Sequence, residues 1–183
     1  MTPLSTAVLA SIFTTTTLSL AASLPRNTNV VVCEPNSGCI HHTIFGHDYK
    51  ILTTDRLSVM VFLSSEGRYT RADLSITNLT PIPINLYPED FHIQALTSRS
   101  RVFLYVPPSQ LENLPTPTQA SAGSEINEPD PANPHLKAIT IPPNQAVHGR
   151  VYFERDPRVT PQQVNVVLPI AGTVFKFPDV IKP

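Results

Sequence analysis

Five residues in the first third of the chain have the types needed for chemistry: Cys33, Cys39, His41, His42 and His47. Thiolate and imidazole together make up the donor set of zinc and copper sites. Their spacing here, C-x5-C-x-H-H-x4-H, is not one that a zinc module requires, and no methionine cluster points to copper. The same cysteines bracket CEPNSGC, whose Pro, Asn, Ser and Gly spell a tight loop. In an exported chain a short cysteine spacing favours a bridge, and C-x5-C is not the C-x-x-C of a redox-active pair. A Cys33–Cys39 disulfide is therefore the first reading, worth roughly 2 kcal/mol for so short a loop. A metal site that adds His41, His42 and His47 is the alternative. His42 and His47 approach each other if the intervening TIFG forms a turn, and neutral imidazole binds metal readily. Otherwise they are solvated loop residues.

Catalytic patterns are missing elsewhere in the sequence. It has no G-x-S-x-G elbow, H-E-x-x-H, G-x-x-x-x-G-K-[ST] or dinucleotide fingerprint. Glu89-Asp90 is the adjacent carboxylate pair outside the loops, and polar turn chemistry explains it better than acid–base work. The expectation is no catalytic residue and no cofactor. One run has residue types suited to recognition: His148, Arg150, Tyr152 and Glu154 share a strand face, with Arg155 and Arg158 just beyond. Tyr and Arg are enriched at interface hot spots, although mixed charge is also the ordinary make-up of an outer face. His148, Arg150, Tyr152 and Arg155 are the candidate binding face. Asn78-Leu79-Thr80 fits a glycosylation sequon at a strand end, just before Pro81.

The elements that position these residues read as strands. Twenty prolines in 183 residues argue against helix interiors and for strands joined by turns. In GRYTRADLSITNLTPIPINLYPEDFHI, Ala72, Leu74 and Ile76 face one way and Arg71, Asp73, Ser75 and Thr77 the other. Leu57, Val59, Val61 and Leu63 alternate in the same way, as do Phe91, Ile93 and Ala95, and Val147, Gly149, Val151 and Phe153. Val164, Val166, Leu168 and Ile170 follow, and Ala171-Gly172 turns into TVFKF. NVVVC, RVFLYV and LKAITI complete about eight or nine short strands, with turn signals near every ten residues. That is the spacing of an all-β antiparallel sandwich. IHHTIFGHDYKIL shows no clear period. Residues 107–134 are rich in proline and small polar side chains, and read as a flexible exposed loop.

Residues 1–22 carry no charge and end in small residues before Pro25 and Arg26, the pattern of a signal peptide cleaved near Ala22. Ser and Thr dilute that stretch too far for a membrane span. Residues 23–183 then form a single domain, secreted or periplasmic. Thirteen basic and 14 acidic residues give a net charge of −1, with no dense basic run for nucleic acid.

LSITN (Leu74 to Asn78), Phe91, IPPNQ (Ile141 to Gln145) and GRVYF (Gly149 to Phe153) occur in the order found in bacterial exported immunoglobulin-like domains. The chain resembles the DUF4352 type over about half its length. Asn144 stands where a turn glycine is usual, a proline-rich insertion intervenes, and there is no Trp and no inter-sheet Cys pair of antibody type. The resemblance implies an immunoglobulin-like fold outside the cytoplasm and transfers no catalytic residue. The function expected is a non-catalytic accessory with a binding or structural role at the cell envelope, its partner an envelope or extracellular protein. A periplasmic metal-binding protein using Cys33 to His47 is the alternative.

Overall fold

Period-two burial runs through the longer core strands of the computed structural model, which describes residues 29–44, 46–96, 101–111, 135–155 and 162–181. They form twelve strands: β1 (Asn29–Val32), β2 (Ile40–Ile44), β3 (His47–Thr53), β4 (Leu57–Glu66), β5 (Tyr69–Asn78), β6 (Ile84–Leu86), β7 (His92–Ala95), β8 (Arg101–Leu104), β9 (Ile139–Ile141), β10 (Ala146–Glu154), β11 (Gln162–Ile170) and β12 (Thr173–Ile181). In β5, Ala72, Leu74 and Ile76 are buried while Arg71, Asp73 and Thr77 remain partly exposed. Leu57, Val59 and Val61 in β4 and Val164, Val166, Leu168 and Ile170 in β11 are buried in the same way. The expected signal segment and residues 112–134 of the expected loop lie outside the described residues, as does Arg158.

Two five-stranded sheets face each other, ordered β1-β12-β11-β7-β8 and β10-β5-β4-β3-β2, with β6-β9 as a separate pair. Neighbours are antiparallel except β1, which runs parallel to β12. The chain passes between sheets from β5 to β7 and again from β10 to β11. Thus β5–β10 in one layer faces β7–β11–β12 in the other, the immunoglobulin-like arrangement. Fully buried Phe91, Phe153, Phe175 and Phe177 fill the space between the layers. No helix among the described residues is long and apolar enough to cross a membrane.

The strand count exceeds the eight or nine expected because β2, β3 and β6 had no legible period. β2 and β3 form a hairpin closed at Ile44↔His47, with Gly46 at φ +78° supplying the left-handed residue of the turn. The hairpin lies at a sheet edge and buries little, so its sequence is not forced to alternate. It also turns Lys50 inward, since Lys50 pairs with the buried Val61. There the Lys50 Nζ reaches across the sandwich to the Asp179 carboxylate at 3.1 Å and to the Pro178 carbonyl.

The segment before β10 also departs from a simple strand–turn–strand. β9 pairs with β6 and not with β10. Asn144 takes φ +55° in the intervening turn, so the asparagine adopts the left-handed conformation for which glycine is usual. The free edge of β10 is capped by two distant segments. Val106 N donates to the Tyr152 carbonyl (2.7 Å) and Leu136 N to the Arg150 carbonyl (2.9 Å). Main-chain groups that would template another strand are satisfied internally at these points.

Candidate functional site

The cysteines bridge the layers. Cys33 follows β1 and donates its N–H to the Lys176 carbonyl (2.8 Å), which fixes it to the first sheet, whereas Cys39 adjoins β2 of the second. The two are joined as a disulfide with Cα atoms 5.0 Å apart. The loop between them closes on itself, Ser37 Oγ accepting from Glu34 N and donating to the Glu34 carbonyl, both at 2.8 Å. Gly38 takes φ +74°.

Strand geometry divides the three neighbouring histidines. Cys39 lies immediately before β2, and His41 is the second residue of that strand. The Cys33 and Cys39 sulfurs and a His41 ring nitrogen all lie within 4.8 Å of one another. His42 and His47 occupy the opposite face at diagonal positions of the hairpin, since His42 pairs with Tyr49 and His47 with Ile44. The β2–β3 pairing, with Thr43 and Ile44 still in β2, brings these two to one face. The His47 ring then lies 4.5 Å from that of Phe62, which also meets Tyr49 at 5.4 Å. The five donors therefore belong to two places.

The candidate binding face is more covered than an outer face is expected to be. Tyr152 is 3% exposed, and His148, Arg150 and Arg155 are half-buried. The alternation was read correctly, with Val151 and Phe153 in the core. What covers Tyr152 comes from elsewhere: Tyr69, Val106 and Leu111 cluster with it, and the His135 ring stands 5.5 Å away. Gly149 is required by the same covering segment. A Cβ there would sit 2.9 Å from Leu136 Cβ and 3.0 Å from the Leu136 backbone.

Beneath this cover lies a charge network set by the β5–β10 register, in which Arg150 opposes Asp73 and Tyr152 opposes Arg71. Arg71 bridges Glu66 Oε2 (3.2 Å) and Asp73 Oδ2 (3.0 Å), and Arg150 Nε stands 3.4 Å from Asp73 Oδ1. The Tyr152 hydroxyl donates to Glu66 Oε2 at 3.3 Å. Burial pushes the Asp73 carboxyl up despite the opposing pull of Arg71 and Arg150. Burial also pulls the Arg71 guanidinium down, but Asp73 and Glu66 offset this and it ends raised. Asp73 is the less exposed partner, at 14% against 20%. Burial, aided by Glu66, pushes the Tyr152 phenol up to about 12. His135 is lowered by burial, then by Arg150 and Lys137, and His148 by burial alone.

A shallow cleft of ≈ 450 Å³ opens at the far end, where Arg56 and Asp90 are the charged residues among Ile82, Pro83, Tyr87 and Pro169. Its lining has no histidine, serine or cysteine. Glu89 and Asp90 lie in a 3-10 turn, Pro88–Asp90, and are exposed.

Asn78, read from sequence as a sequon, is fully buried and organises three connections. Its Nδ2 donates to the carbonyls of Ile82 (2.8 Å), Ile141 (3.0 Å) and Pro142 (3.2 Å). Its Oδ1 accepts from Thr80 N (2.9 Å) and Thr80 Oγ1 (2.7 Å). A side chain that both donates and accepts at one point joins the end of β5 to the 79–83 turn and to the β9–β10 turn. The only sequence signal for this was a polar Thr-Asn step closing an alternating strand. No family model, curated protein or solved structure matches the chain.

Proposed function

We propose that the chain is an exported, non-catalytic immunoglobulin-like accessory domain that recognises an envelope or extracellular protein through a strand face. The observation that carries this reading is the outer face of the first sheet. Phe103 turns into the core, so its neighbours Val102 and Leu104 point outward and are 54% and 67% exposed. Val30 and Val180, 51% and 45% exposed, lie on β1 and β12 of the same sheet. Val102 and Leu104 lie side by side on edge strand β8, separated from Val30 and Val180 by rows that include His92, Gln94, Asn165 and Lys176. An exposed apolar pair on an edge strand is a surface that a partner can cover. Several residues of chemical type are engaged within the fold, Cys33 with Cys39, Arg71 with Glu66 and Asp73, Tyr152 with Glu66. A disulfide between the layers fits an oxidising compartment, and the order of LSITN, Phe91, IPPNQ and GRVYF supports kinship with exported immunoglobulin-like domains.

The test has two parts. Expression from residue 1 in an exporting host should give a mature chain cleaved near Ala22, with no thiol open to alkylation after denaturation. Crosslinking in an envelope extract should then capture a partner that excess unlabelled wild type displaces and a Val102→Asp/Leu104→Asp double variant does not. An uncleaved cytoplasmic chain with two free thiols would overturn the export reading. Equal competition by the double variant would overturn the assignment of the face.

A further inference from the structure

We propose that the Cys33–Cys39 disulfide masks a zinc site, and that reduction converts it into a two-thiolate, one-imidazole centre completed by His41. The proposal is independent of the export reading, because it rests on the placement of three donors. His41 is the second residue of β2, Cys39 lies immediately before that strand, and Cys33 arrives from β1 of the other sheet. All three donor atoms already lie within 4.8 Å of one another. Around tetrahedral Zn²⁺, bond lengths of about 2.3 Å to sulfur and 2.0 Å to nitrogen place donors roughly 3.5–3.8 Å apart. Reaching that geometry needs the sulfurs to part and the imidazole to close by about 1.3 Å at most. Gly38 adjoins Cys39 and has nothing within 4 Å of a Cβ position, so the loop has space to adjust. The imidazole is exposed and Cys39 half-buried, which leaves the site open on one side for a fourth ligand, water or an exchanging donor.

The chemistry balances with an external dithiol as reductant. One of its thiolates attacks a disulfide sulfur to form a mixed disulfide. Its second thiolate resolves that species, leaving the dithiol oxidised and Cys33 and Cys39 as two thiols. Zn²⁺ then displaces both thiol protons to form two Zn–S bonds and takes the lone pair of neutral His41. In the oxidised chain the sulfurs have no thiolate to offer. His42 and His47, on the opposite face, take no part.

The full chain is reduced with a phosphine, freed of reductant without air, and titrated with Co²⁺ and then Zn²⁺. The expected result is one equivalent of Co²⁺ with sulfur-to-cobalt charge-transfer absorption, abolished by Zn²⁺ and absent from the oxidised chain. His41→Gln should weaken Zn²⁺ binding by at least about tenfold, the smaller effect recorded for losing even a supporting contact. His42→Gln should leave binding unchanged. Near-UV circular dichroism of the zinc-loaded reduced chain should match that of the oxidised chain. The proposal fails if the reduced chain shows no sulfur-to-cobalt band. It fails equally if His41→Gln binds like wild type, or if the loaded chain lacks native near-UV signal and so binds metal unfolded.

Discussion

Replacing Asn78 tests whether one buried amide holds three connections together. The residue is 0% exposed, and its side chain meets three carbonyls and two donors. An amide has only two N–H groups, so one hydrogen is shared between carbonyls, and four full bonds are the fair count. At about 1 kcal/mol net each, Asn78→Ala removes roughly 4 kcal/mol, and leaving buried partners unpaired adds to the loss. That is a large part of the roughly 5–15 kcal/mol of a typical domain. Asn78→Asp separates hydrogen bonding from shape. The carboxylate still accepts from Thr80, but turns an anionic oxygen toward the carbonyls of Ile82, Ile141 and Pro142. Burial and those carbonyls raise its pKa above the unfolded value of about 3.9, so the native state holds its proton longer. Stability is then greatest at acid pH and is lost as pH rises from about 3.9 through the folded pKa. Urea unfolding at several pH values reads both effects through the linear dependence on denaturant. Asn78→Asp should be less stable than Asn78→Ala at neutral pH, with the gap narrowing in acid. An aspartate variant within about 1 kcal/mol of wild type at neutral pH would refute the reasoning, because its lost donors would then have had no net value.

Other consequences follow from the cover over β10. Gly149→Ala drives a Cβ to within 3.0 Å of the Leu136 backbone. The expected loss is about 1–3 kcal/mol, with faster hydrogen exchange at the Leu136 amide; wild-type stability with a protected amide would count against the close approach. His135 and His148 have folded pKa values below 6.5, so the unfolded chain binds more protons in that window. Their contribution is complete above 6.5 and is lost as pH falls through the folded values. Asp73, raised above 3.8, acts oppositely, its stabilising effect being lost as pH rises from there. A His135→Gln/His148→Gln variant should flatten the decline of urea midpoint below 6.5, and an unchanged slope would remove these histidines from the account. In alkaline ultraviolet titration Tyr105 and Tyr152 should both ionise late, Tyr152 near 12, and Tyr152→Phe should abolish the step near 12. Persistence of the step would assign it elsewhere.

What could be read from the sequence depended on where burial originates. Strands with one face on the core wrote it into their own alternation, so Ala72, Leu74 and Ile76 and Val164 to Ile170 were placed correctly. β2 and β3 carried no such constraint, because an edge hairpin leaves His41, His42 and His47 exposed and admits an inward Lys50. The disulfide was legible from spacing, whereas the approach of His41 to the two sulfurs had to wait until residues 40–44 were known to be extended. Tyr152 failed for a different reason. Its outward direction followed from period two, but its cover comes from Val106 and His135, distant in sequence and invisible to any local pattern.

These placements explain where the fold tolerates buried polarity. Asn78 and the Arg71–Asp73–Arg150 network both sit where a non-strand connection meets the β5–β10 pair. At one end these are the 79–83 and 142–145 turns, at the other the Tyr105–Leu111 and His135–Leu136 segments. The strands themselves need no such help, because apolar alternation already fixes their register. A turn or returning segment has no alternation to fix it, and a polar group with several directional demands admits fewer alternative positions than an apolar contact would. Desolvation at Asp73 is the cost of that choice, and an apolar replacement of the whole network could raise stability. It would leave the two segments bordering residues 112–134 held by Val106 N→Tyr152 O, Leu136 N→Arg150 O, the Tyr69 and Tyr105 hydroxyls on the Gln110 and Leu136 carbonyls, the buried Leu136 and the small Tyr69–Val106–Tyr152 cluster. The ion pairs join residues of β4, β5 and β10 and thus supplement, under the returning segments, the main-chain and apolar ties that hold those segments in place.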